Sequence, residues 1–105
     1  MRVVYKFQVP VQDILSVEMP VGAKLLHFGA GGSQPGLHLW ALVDPAAMTE
    51  TRRFYIFGTG HAIYEDDGNL LFVGTAVDPA APYLVWHLFE EHPWDYGNQG
   101  GILDA

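Results

Sequence analysis

Turn-forming residues recur roughly every ten positions along this chain, and only short apolar segments lie between them. The breaks fall at Pro10, Met19-Pro20-Val21-Gly22, Gly29 to Gly36, Asp44-Pro45, Gly58-Thr59-Gly60-His61, Asp67-Gly68 and Asp78 to Pro82. That spacing leaves no stretch with the length and the 3.6-residue period of more than one helical turn. Short strands joined by tight turns are what such a chain can form. The expectation is an all-β fold, with at most one short helix: a small antiparallel barrel or sandwich of six to eight strands.

The segments support that expectation one by one. Val3 to Val9 alternates, with Val3, Tyr5, Phe7 and Val9 on one face and Lys6 and Gln8 on the other, as a half-buried strand does. Val11 to Glu18 fits either a helical turn after Asp13 or a strand. Ala23 to Phe28, Leu37 to Val43, Thr51 to Phe57, Leu70 to Val77 and Tyr83 to Phe89 read as strands. Gly29 to Gly36 (GAGGSQPG) reads as a flexible loop, and Asp44-Pro45 and Asp78-Pro79 as turn starters. Residues 1–91 are expected to form one β domain, and residues 92–105 a C-terminal tail, docked or mobile.

Two strands are apolar on both faces. Leu37, Leu39, Ala41 and Val43 back onto His38, Trp40 and Leu42, and Leu84, Trp86 and Leu88 onto Tyr83, Val85, His87 and Phe89. An antiparallel sheet in a small monomer normally keeps one wet face. Such strands need a second layer on each side: another sheet, the tail, or another copy of the chain. A homo-oligomer is one expected outcome.

Composition narrows the function. With 105 residues, one domain and one core are the default. Five basic residues against twelve acidic ones give a net charge of −7, the wrong sign for a polymeric nucleic-acid binder. There is no cysteine, hence no disulfide, thiolate metal site or cysteine nucleophile. The apolar runs are too short for a membrane helix, and no signal-peptide pattern is present, so a cytoplasmic protein is expected.

The most suggestive local sequence is Gly58-Thr59-Gly60-His61. Paired glycines allow positive φ, and the successive N–H groups of such a turn can form an anion-binding concavity. Arg52 and Arg53, six and five residues before Gly58, add forked cationic donors. Strand alternation lets only one of the two face any given pocket. The candidate ligand-binding residues are Arg52, Arg53, Gly58, Thr59, Gly60 and His61. The bland alternative is a strand end followed by glycines, with solvated arginines beside Glu50 and Glu65. The five histidines lack the His-x-His spacing of a strand-borne metal site, and neither Ser16 nor Ser33 sits in a nucleophile elbow. No cofactor, metal or catalytic residue is assigned.

Four strings, MPVGAKLLHFG, LHLWALVDP, TRRFYIFGTGHAI and LVWHLFEE, resemble a family of short uncharacterised proteins encoded by phages, prophages and some bacteria. The resemblance spans about residues 1–91 and leaves the GGSQPG stretch and the tail unmatched. It implies a viral accessory setting and no activity. In that setting the first expectation is a non-enzymatic protein that captures an anionic small molecule, such as a nucleotide immune signal, in the host cytoplasm. The second is a protein–protein inhibitor of a host defence complex, meeting a basic surface with Glu65 to Asp67 and Glu90-Glu91. The third is a metal-assisted hydrolase using the histidines.

Overall fold

A computed structural model of the chain describes residues 1–64 and 69–92. The Asp67-Gly68 turn, the acidic run at 65–67 and the tail from residue 93 lie outside the described residues. Seven strands are formed: β1 (Val3–Val9), β2 (Ile14–Pro20), β3 (Lys24–Gly31), β4 (Gln34–Val43), β5 (Thr49–Gly58), β6 (Leu70–Val77) and β7 (Val85–Glu91). All pairings are antiparallel, and no α-helix occurs among the described residues. A three-stranded sheet in the order β1-β4-β3 packs on a four-stranded sheet in the order β2-β5-β7-β6. The sheets stay separate, so the fold is a sandwich and not a closed barrel.

The core lies between the two inner faces. Leu37, Leu39, Ala41 and Val43 of β4 point into it, against Leu15, Val17 and Met19 of β2, Phe54 and Ile56 of β5 and Leu88 of β7. Phe54, Met19, Leu39 and Leu88 are fully enclosed, and each contributes about 1.5–3 kcal/mol by leaving water. The central strand of each sheet alternates as its sequence does, which is why the core is confined to one set of residues per strand.

One open alternative is settled and two expectations need correction. The ambiguous segment after Val11 is a strand, and Met19 and Pro20 end it instead of opening the turn, which is Val21-Gly22 with Gly22 at φ +82°. Pro20 is tolerated because β2 is an edge strand. The GAGGSQPG stretch is no loop but the tip of the β3–β4 hairpin. Gly31 pairs with Gln34 across a two-residue connection, Gly32-Ser33, with Gly32 at φ +67°. The glycines also make room. A Cβ on Gly31 would stand 2.0 Å from His38 Nδ1, and one on Gly29 2.7 Å from His27 Nε2. Two imidazoles lie over this backbone, and His38 is only 3% exposed as a result.

Two bulges shift the alternation. Leu26 is the extra residue in β3, so Leu25 and Phe28 both face inward, opposite Ala41 and Leu39. Val73 is the extra residue in β6: Phe72 faces Phe89 on the outer side, while Gly74 opposes Leu88 on the inner side and its Cβ position lies 3.2 Å from Phe28 Cβ. β3 and β6 pack beside each other there, which seals one side of the sandwich. The pentapeptide Val-Asp-Pro-Ala-Ala closes both β4 (43–47) and β6 (77–81). In each copy the aspartate carboxylate accepts the N–H two residues on, from Ala46 at 3.0 Å and from Ala80 at 2.9 Å.

Candidate functional site

The six candidate residues do not converge on one place. Arg52 and Gly58 lie six residues apart along β5, about 20 Å at 3.3 Å per residue. Alternation turns the two arginines to opposite faces of the sheet, yet both reach one cavity of about 230 Å³ at the sheet end, shared with Glu90 and Glu91, contrary to the expectation that only one could face a given pocket. Arg52 faces inward, and its Nε and Nη2 donate to the two Glu90 carboxylate oxygens at 2.6 and 2.8 Å, while Nη1 donates to the Ala23 carbonyl at 2.6 Å. The Glu90 carboxylate holds the guanidinium pKa above its ordinary value, so Arg52 stays cationic. Arg53 faces outward, 3.4 Å from Glu91 and over the Tyr55 ring at 5.8 Å. Burial, helped by the hydrogen bond to Glu91, raises the Tyr55 pKa and keeps the phenol neutral. Both arginines thus answer acids of β7. Glu90 is engaged inside the fold, whereas Glu91 lies on the outer face beside Arg53, so the two acids do not stand side by side on one surface.

The glycine turn does line a cleft. Gly58, Thr59 and His61 form one wall, and Tyr83 to Trp86, leading into β7, form the other, around a cavity of about 290 Å³. Gly60 takes φ +88°, the left-handed conformation that favours glycine there. His61 folds back on the turn: Gly58 N–H donates to its Nδ1 at 3.3 Å, and its own N–H donates to the Gly58 carbonyl at 3.1 Å. A Cβ on Gly58 would meet that ring at 2.8 Å, so only glycine lets the imidazole settle this close. The amides of Gly58 and His61 are used within the turn; that of Thr59, which lines the cleft, takes no part in those bonds, and Gly60 does not line the cleft.

The opposite wall is fixed by the Asp78 turn. Trp86 donates its indole N–H to Asp78 Oδ2 at 3.0 Å, and Ala80 donates to Oδ1. The Trp86 hydrogen bond, and after it the Ala80 amide, holds the Asp78 carboxyl below the usual aspartate range. Beside the cleft, His87 is held between two threonines, Thr59 Oγ1 at 2.7 Å from Nε2 and Thr75 Oγ1 at 2.9 Å from Nδ1. A neutral imidazole donates to one hydroxyl and accepts from the other, which sets the orientation of both. Tyr83 stands 84% exposed at the rim, a ring surface open to stacking.

In the sequence Tyr83 and Trp86 stand among the aromatics that could stack on a ring, and His87 among five scattered histidines, with nothing to tie them to the glycine turn. What joins them to Thr59 and His61 is the β5–β7 register, Gly58 opposite Trp86, and no local pattern announces it. Among the described residues no three of His, Cys, Asp and Glu gather as a metal site, and no helix is long and apolar enough to cross a membrane.

Fold and cleft together define a small antiparallel β sandwich with a part-polar, part-aromatic cleft at the end of its larger sheet. The chain belongs to the family described as domain of unknown function DUF7352, whose model matches residues 1–96. No curated protein and no solved structure matches the chain.

Proposed function

We propose that the protein is a non-enzymatic binding module that takes up a small, ring-bearing anionic molecule in the cleft between the Gly58–His61 turn and the Tyr83–Trp86 segment. The observation that carries this reading is the convergence of two unlike walls: the Thr59 amide and hydroxyl on one side, aromatic faces on the other. The amide and hydroxyl suit phosphate or carboxylate oxygens, and Tyr83 and Trp86 suit a flat ring. Arg52 and Arg53 do not belong to this site; their carboxylate partners and their distance from Gly58 assign them to the scaffold.

Size limits the ligand. At about 290 Å³ the cavity lies at the low end of small-molecule sites, enough for one ring system with its anionic group and too small for a cyclic oligonucleotide. The phage and prophage setting implied by the sequence resemblance points to a nucleotide signal of host defence, held and withdrawn from circulation. The −7 charge opposes long-range capture of any anion, so association should be slower than for a steered ligand.

Calorimetric titration with nucleoside monophosphates, cyclic mononucleotides and cyclic ADP-ribose derivatives tests the proposal. Saturable binding by at least one, weakened by Thr59→Val and by Tyr83→Ala, is the expected result. Absence of binding by all of them at millimolar concentration would overturn it.

A further inference from the structure

The outer face of the four-stranded sheet is apolar where a monomer would be wet. Its second row runs unbroken across all four strands, Ile14 opposite Tyr55, Tyr55 opposite Phe89, and Phe89 opposite Phe72. The rings interlock edge to face, Phe72 on Phe89 at 5.5 Å and Phe89 on Phe57 at 5.7 Å, which makes one continuous aromatic surface. The row is closed at its centre, where Tyr55 is 8% exposed, and open at its margins, where Phe72 is 62% and Ile14 45% exposed.

We propose that this face is where two copies of the chain meet, back to back on their larger sheets. Charge favours a second copy over an unrelated partner. The chain as a whole carries −7, yet among the described residues this face carries only Arg53 and Glu91, side by side at 3.4 Å, and Glu18 at the β2 rim. It is therefore the surface on which two such acidic molecules can approach without strong repulsion. A two-fold axis through the face also lets Arg53 of one copy approach Glu91 of the other, because an isologous contact pairs each residue reciprocally. A strongly basic partner would find little to answer it there.

Area fixes the strength. Four strands at about 4.8 Å and some seven residues at about 3.3 Å give a projected face of ~19 by ~23 Å, or ~440 Å² per copy. Two copies cover roughly 900 Å², below the ~1,200 Å² at which stable interfaces begin, so the dimer is weak and reversible. Its dissociation constant belongs in the micromolar range or above, and self-association follows protein concentration. This inference stands apart from the ligand reading: the face can pair whether or not the cleft binds anything.

Sedimentation velocity of the full chain, from low micromolar to near-millimolar concentration, tests it. The expected result is a sedimentation coefficient that rises with concentration. Phe72→Lys should weaken the association about tenfold or more, since two unpaired charges would be desolvated. Val4→Lys, a control at an exposed position on the other sheet, should leave it unchanged. Melting temperature reports that each variant is folded. A wild-type chain that stays monomeric throughout would overturn the proposal, as would a dimer disrupted by Val4→Lys and indifferent to Phe72→Lys.

Discussion

Arg52 and Glu90 form a two-pronged ion pair on the inward side of a sheet, diagonal to one another on neighbouring strands, with side chains 17% and 9% exposed. Two charges this sheltered hold each other's solvation cost, and removing one strands the other. Glu90→Leu should therefore destabilise the fold by roughly 3 kcal/mol, a large share of the ~5–15 kcal/mol available to a domain. The double substitution Arg52→Met with Glu90→Leu should come back to within about 1 kcal/mol of the parent. Urea unfolding midpoints of the three proteins decide it. If single and double variants lose equal stability, packing and not charge is what the pair supplies.

The hairpin glycines make a second, graded expectation. Gly31→Ala forces a methyl into His38, which has nowhere to go, and should cost about 2–3 kcal/mol. Gly29→Ala meets His27, an exposed ring that can swing away, and should cost under about 1 kcal/mol. Combining Gly31→Ala with His38→Ala should lose less than the sum of the two single changes, a coupling readable by thermal unfolding.

Asp78 gives a pH dependence with a definite sign. Its folded-state pKa lies below the ordinary aspartate value, so the folded state prefers the carboxylate. The associated stability is fully present above the ordinary aspartate range and is lost as pH falls through the lowered folded value. Trp86 senses the event, because its indole N–H loses a charged acceptor. Melting temperature and Trp fluorescence followed down to strongly acid pH should show a loss that Asp78→Asn flattens. An identical acid profile for wild type and variant would contradict this.

The cleft rim separates binding from folding. Tyr83 is exposed, so Tyr83→Ala should shift stability by no more than about 0.5 kcal/mol. It should still weaken a ring-bearing ligand by about 5- to 100-fold, the range of one lost stacking contact. Paired measurements of melting and affinity on the same preparation test both halves.

Much of the architecture can be read from the chain by itself. Val3–Val9 and Leu70–Val77 are bounded as their alternation and their turn residues indicate, and the opposite orientation of Arg52 and Arg53 follows from strand geometry alone. Their partners do not. Glu90 and Glu91 reach them through the β5–β7 register, a long-range pairing with no local sequence mark, so an apparent anion site dissolved into scaffold. The GAGGSQPG stretch misleads for a different reason. Its glycines are required by two histidine rings packed over the strand, yet composition alone makes the same glycines look like flexibility. The cleft was half visible: the Gly58–His61 turn stands out, whereas its aromatic wall is brought to it only by the folded sheet.

The bulges at Leu26 and Val73 carry a consequence for length variation. Beyond each bulge, the residues keep the partners and the sides that a ladder without the extra residue would give them. Deleting Val73 would leave Phe72 opposite Phe89 and Gly74 opposite Leu88 in a regular ladder, so Thr75 and Ala76 would keep their sides, and deleting Leu26 would likewise leave Leu25 and His27 on theirs. Members of the family can therefore lose the extra residue at either place and keep every other side chain of the strand on its present side, although losing Val73 also removes a contact with the core. Inside the regular stretches of the strands a lost residue would turn those beyond it to the opposite face, so length changes should collect at the two bulges and in the turns.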